Sequence, residues 1–135
     1  MKTKTEAAAA AAKLVKRLGA GWRPRVWQNL GWHFAARKGP ISVYPSLDGQ
    51  FHCLIAETDE QAPAGSGYWS GSDTKTFDDP RKAVEHELKK VAAFVTGVYN
   101  SMLAATQSAG YDVIAPLTDD GISIKVRKKQ RLTKG

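Results

Sequence analysis

The segment that opens at Phe77-Asp78-Asp79-Pro80 constrains the fold more than any other part of the chain. Asp79 is a good N-cap, proline is tolerated at the first helical position, and carboxylates suit the positive end of a helix dipole. Apolar residues then recur at Val84, Leu88, Val91, Val95, Val98 and Met102, with Ala92, Tyr99 and Leu103 beside them, which is the spacing of one helical face. A long amphipathic helix is predicted from about Pro80 to about Ala105. At 1.5 Å per residue it spans ~40 Å, more than a short sheet can cover. Its far end therefore needs a further partner, either an alanine-rich helix near the start of the chain or a second copy of the protein. Gly97 marks a close approach of a neighbouring backbone or a cost of about 1 kcal/mol.

The alanine-rich candidate runs from Glu6 to Leu18, with Ala7, Ala11, Leu14 and Leu18 on one face and Lys13, Lys16 and Arg17 largely away from it. Gly19 and Gly21 stop it. After it, Trp22, Trp27 and Trp32 recur every five residues, a period that suits neither helix nor strand. Two readings stay open for this segment. At least two rings seal the core under a loop, or the rings form an exposed platform beside Arg23 and Arg25.

From Trp32 the pattern has period two. Trp32–Ala36, Ile41–Tyr44 and Phe51–Ile55 read as three strands of an antiparallel meander, joined by turns at Lys38-Gly39-Pro40 and Leu47-Asp48-Gly49. Phe51, Cys53 and Ile55 fall on one face, His52 and Leu54 on the other. Residues 58–67 read as an exposed loop, followed by a short strand around 67–71 with Tyr68 and Trp69. Past the long helix, residues 111–117 and 122–127 flank a Thr118-Asp119-Asp120-Gly121 turn, and the chain ends in a basic tail. The fold class expected is α+β: one domain over 1–127 (helix about 6–18, sheet about 32–71, helix about 80–105 packed on the sheet, hairpin 111–127), with a tail at 128–135. The 135 residues are enough for one core and too few for two.

Charge is distributed unevenly. Residues 1–45 carry nine Lys and Arg against Glu6 alone, residues 46–110 five against nine acids, and residues 111–135 six against three, within a net charge of +7. Basic ends are suited to a polyanion, because each Lys or Arg that neutralises a phosphate releases a counterion. The first apolar run, residues 7–12, is alanine followed by Lys13, Lys16 and Arg17; it lacks the leucine-rich core of a secretory signal or a membrane span. With Cys53 as the one cysteine, neither an intramolecular disulfide nor a cysteine-based zinc cage can form. A reducing, cytoplasmic setting is expected, with no membrane partner and no cofactor.

Catalytic chemistry finds no support. His33, His52 and His86 lack the close spacing of a metal site. Cys53 lies mid-strand between apolar neighbours, where a thiol is buried and inert. The glycines near residues 65–71 lack the lysine and the helix start of a phosphate loop. Asp78, Asp79, Glu85 and Glu87 are accounted for by capping and a solvated helix face. His33 reads as a structural aromatic with a satisfied ring nitrogen, and His86 as a residue on the wet side of the helix.

Ile41 to Phe94 resembles the three-stranded-sheet-plus-helix DNA-binding domain of plant ethylene-response factors and of the amino-terminal modules of phage integrases. The matching residues are Gly49-Gln50-Phe51-His52-Cys53-Leu54-Ile55, then Trp69 with Gly71, and then Thr76-Phe77-Asp78-Asp79-Pro80-Arg81-Lys82-Ala83 leading into the helix. The resemblance implies a sheet that lies in the major groove and presents arginines and tryptophans. The corresponding strands here offer Tyr44, His52 and Lys75, so nucleic-acid contact is assigned to Arg23, Arg25, Arg37 and Lys38, to Lys125, Arg127, Lys128, Lys129 and Arg131, and to Trp22 or Trp27 by stacking. The order helix, strands, helix is also similar to double-stranded-RNA-binding domains, but Asp78-Asp79-Pro80 stands where that family is basic, which ranks RNA below DNA.

Two functions are expected from these readings. The first is a small non-enzymatic nucleic-acid-binding protein, an accessory or regulatory factor of a phage or other mobile element. The alternative is a protein-binding inhibitor or adaptor, such as a mobile-element protein that blocks a host defence complex. A homodimer through the long helix is compatible with either.

Overall fold

The structure, a computed structural model, describes residues 1–56, 75–119 and 121–130. The expected loop at 58–67, the strand around 67–71, and Arg131 lie outside the described residues. The fold is α+β, with an N-terminal helix, a four-stranded antiparallel sheet, a long second helix and a small C-terminal hairpin. The chain divides into two compact units, Met1–Val91 and Ala92–Gly135.

In the first unit, α1 spans Lys4–Leu18, two residues longer at its start than the sequence predicts. Thr3 makes the difference: its side-chain oxygen accepts the backbone N–H of Glu6 and caps the first turn. Gly19, at φ 106°, ends the helix by donating its N–H to the Val15 carbonyl. The sheet follows in sequential order, β1 (Arg23–Gln28), β2 (Trp32–Lys38), β3 (Ile41–Pro45) and β4 (Phe51–Ile55). Three of these match the expected meander to within two residues.

β1 corrects the sequence reading, which placed a loop there. Arg23 to Gln28 pairs with β2 through six Cα partners, from Arg23 opposite Arg37 to Gln28 opposite Trp32. Pro24 is tolerated because β1 is an edge strand. The hairpin turns at Asn29-Leu30-Gly31, where Leu30 (φ 52°) and Gly31 (φ 121°) supply the left-handed backbone of a tight reversal. A five-residue tryptophan spacing is thus two strand positions separated by a turn.

Directly paired residues share a sheet face. Phe34, Ala36, Ile41, Val43, Phe51, Cys53 and Ile55 form the inner face, which meets Leu14 of α1 and Ala83 of α2, the helix Pro80–Ser108. Ala7 and Ala11 are fully buried, so the small side chains of α1 bring its backbone close to the sheet. α2 enters through a reciprocal pair of backbone hydrogen bonds between Phe51 and Phe77 (2.7 and 2.8 Å) that extends the β4 edge. Asp79 then caps it, its side chain accepting the N–H of Arg81 at 3.0 Å. That hydrogen bond is the main reason the Asp79 carboxyl titrates below the usual range, with the Arg81 charge assisting. Val84 and Val91 in the first turns of α2 pack on the same core.

In the second unit, β5 (Tyr111–Ile114) pairs with β8 (Lys125–Lys128), and β6 (Leu117–Thr118) with β7 (Gly121–Ile122) at the tip. This is the expected hairpin. No helix among the described residues is long and apolar enough to cross a membrane.

Candidate functional site

The sheet has a second face, which neither helix covers. By register it carries Arg23, Arg25 and Trp27 of β1, His33, Ala35 and Arg37 of β2, Ser42 and Tyr44 of β3, and His52 and Leu54 of β4. Aromatic rings cross it as a row. Trp27 stacks on its cross-strand partner His33 (centroids 5.7 Å apart, planes at 20°), Trp27 meets Tyr44 edge-on at 6.1 Å, and Tyr44 stacks on its partner His52 at 5.6 Å. Because β1 and β3 are separated by β2, the Trp27 ring reaches across that strand, where the alanine at position 35 leaves room for it. Ala35 and Ser42 are buried, and Ser42 Oγ has no hydrogen-bond partner among the described residues.

Cations stand at one end of this row. The Arg25 guanidinium lies 5.7 Å from the centre of the Trp27 ring, a cation–π contact. Arg23 and Arg37 are direct cross-strand partners on the same face. Arg37 is oriented by its own turn, with Nε donating to the Gly39 carbonyl at 2.8 Å. His33 is held by a 2.6 Å hydrogen bond between Nε2 and the Asn29 carbonyl, which is the satisfied ring nitrogen expected of it. His52 is half-buried, and burial lowers its pKa from the ordinary 6.5. The face therefore combines three permanent cations with a row of rings, a chemistry suited to phosphates beside flat, unsaturated groups.

The structure brings together Arg23, Arg25, Arg37 and Trp27 of the residues predicted from sequence. It does not bring Lys38 or Trp22 to them. Lys38 pairs with Ile41 on the inner-face register and its side chain lies against Gly21, and Trp22 packs against the core. Lys125, Arg127, Lys128 and Lys129 are all exposed on the C-terminal hairpin and its end, in the second unit. Tyr44, His33 and His52 as members of one row were missed. The signal that could have found them was the alternation Arg23, Arg25, Trp27 against Pro24, Val26, Gln28, which extends the sheet by a strand.

Other chemistry-bearing groups are placed differently. Cys53 is buried on the inner face, and burial, aided by the nearby Glu87 carboxylate, pushes its thiol up to about 12; such a thiol is a poor nucleophile at neutral pH. His86 corrects its assignment to the wet side of the helix: it packs against Phe77, ring centres 5.4 Å apart, because the Phe51–Phe77 bridge brings that ring over the first turns of α2. A cleft of about 280 Å³ is lined by Arg17, Asp78, Asp79 and Arg81, but its charges offset one another, with Arg17 donating to the Asp78 carbonyl and Arg81 paired with Asp79. No group of three or more His, Cys, Asp or Glu among the described residues could hold a metal ion. No protein-family model, curated protein or solved structure matches the chain.

Proposed function

We propose that the protein is a non-enzymatic nucleic-acid-binding protein and that its contact surface is the helix-free face of the sheet. The observation that carries this reading is the convergence of Arg23, Arg25 and Arg37 on one face with the row Trp27, His33, Tyr44, His52. Guanidinium groups held on one face offer a bound polyanion charge-assisted hydrogen bonds. The rings give unpaired bases a surface on which to stack, and stacking is worth about 1–3 kcal/mol per base. Four strands set side by side present a row of roughly 14 Å, room for two or three nucleotides. Among nucleic acids, this favours single-stranded DNA over a duplex, whose stacked bases are closed to such rings. The hairpin cations Lys125, Arg127, Lys128 and Lys129 supply a second, sequence-independent phosphate contact.

The test is fluorescence anisotropy with labelled single-stranded DNA, duplex DNA and duplex RNA over a salt series. Affinity for the single strand should fall log-linearly with salt, with a slope of about −2 for three neutralised phosphates. Arg23→Glu/Arg25→Glu should weaken binding by roughly 100-fold, from the loss of two charge-assisted contacts and the repulsion that replaces them. Absence of binding at low salt, or a flat salt response, would refute the proposal and favour the protein-partner alternative.

A further inference from the structure

The second unit contains a long stretch of helix whose described residues are exposed or only partly buried. Residues 92–98 are exposed all the way round the helix. Phe94, Val95 and Val98 are each about half exposed (51–52%). At helical spacing they continue the stripe through which Val84 and Val91 touch the core of the first unit. Between Lys90 and Asp112 the chain has no charged residue. Its apolar stripe of Val95, Val98 and Met102 needs an opposing layer, and a two-stranded hairpin is too weak to supply one. The alanine-rich helix anticipated as a partner is committed elsewhere, because α1 lies on β1 and β2.

We infer that this part of α2 is a self-association surface, on which a second copy of the chain lays its own segment from Ala92 to Ser108 about a two-fold axis near Val98. Two features choose a second copy over another occupant. Leu88, Val91, Val95, Val98, Met102 and Ala105 follow alternating steps of three and four, the 3.5-residue repeat by which helices pair with like helices. The absence of charge lets two copies of a protein of net charge +7 approach here without like charges meeting, whereas an acidic partner would be drawn to the Lys- and Arg-bearing surfaces instead.

The area suits a weak pairing. One side of the charge-free helix, ~27 Å long and ~10 Å across, presents on the order of 500 Å². This is below the ~800 Å² per partner of a standard interface, as in a weak, concentration-dependent pairing.

Sedimentation velocity on nuclease-treated protein, at salt high enough to strip nucleic acid, tests this over a dilution series. The expected result is a dimer that dissociates on dilution. Val95→Glu/Val98→Glu should weaken it by on the order of 100-fold or more, since each pairing would bury unpaired carboxylates. Thermal unfolding of the first unit should be unchanged, because both side chains are exposed. Val98→Cys should form an intermolecular disulfide under mild oxidation faster than Thr96→Cys, while Cys53 stays protected by burial. A monomer at every concentration would overturn the inference, and so would a dimer unaffected by the double glutamate variant. Because nucleic-acid binding is read in a separate assay, either proposal can fail without the other.

Discussion

The two units are made from similar elements and treat their apolar residues in opposite ways. In Met1–Val91 a helix of alanines, a four-stranded sheet and the first turns of α2 enclose Leu14, Ala36, Val43, Cys53, Ile55 and Ala83. In Ala92–Gly135 the same helix continues and a hairpin follows, yet Phe94, Val95, Val98, Ile122, Ile124 and Val126 are exposed. The difference is one of layers. A helical stripe is buried only where an opposing layer exists, and among the described residues the second unit presents helix and hairpin with no buried residue between them.

The largest effect expected of this contrast is on stability. Leu14→Ala should cost about 3 kcal/mol in a denaturant titration, as a large-to-small change in a packed core does, whereas Val126→Thr on the hairpin should stay within about 0.5 kcal/mol. Equal costs at the two sites would break the comparison. Hydrogen exchange offers a sharper form: amides of β2 and β3 should exchange only by global unfolding, while those of Ala92 to Val98 should become protected as protein concentration rises.

A smaller effect belongs to Cys53. Its folded pKa, about 12, lies above its ordinary value of 9.0, so the stabilisation it reflects is complete below pH 9 and is lost as pH rises toward 12. Cys53→Ala should flatten stability over that alkaline window. Glu87→Gln should lower the thiol pKa, read from its ultraviolet thiolate absorbance, and leave it above 9.0, since burial is the larger cause. The smallest effect is at the start of α1, where Thr3→Ala removes the cap on the Glu6 N–H and should cost about 1 kcal/mol or less.

Much of the first unit was legible in the sequence because its signals are local. The Asp-Gly turn before Phe51, the period-two residues of β3 and β4, and the Asp79-Pro80 start of α2 each fix an element within a few residues. β1 was not legible by the same route. Its turn at Leu30 uses a residue that rarely adopts positive φ, Pro24 masks the strand, and the tryptophan spacing belongs to two strands that place Trp27 and Trp32 on opposite faces. That miss hid the site, since its four arginine and tryptophan members, Arg23, Arg25, Arg37 and Trp27, were named from charge and aromaticity alone, while the face that unites them depends on the fourth strand. The far end of α2 posed the reverse case: its length alone showed that something must cover it, and the structure removes α1 from the candidates.

The central claim is that the helix-free sheet face is the contact surface, and residue-resolved NMR of the protein titrated with a short single-stranded DNA tests it most directly. The account predicts shift changes concentrated at Arg23, Arg25, the Trp27 indole, Arg37 and Tyr44, with a weaker set at Lys125 to Lys129. Changes confined to the C-terminal cations, with Trp27 and Tyr44 unmoved at saturation, would contradict it.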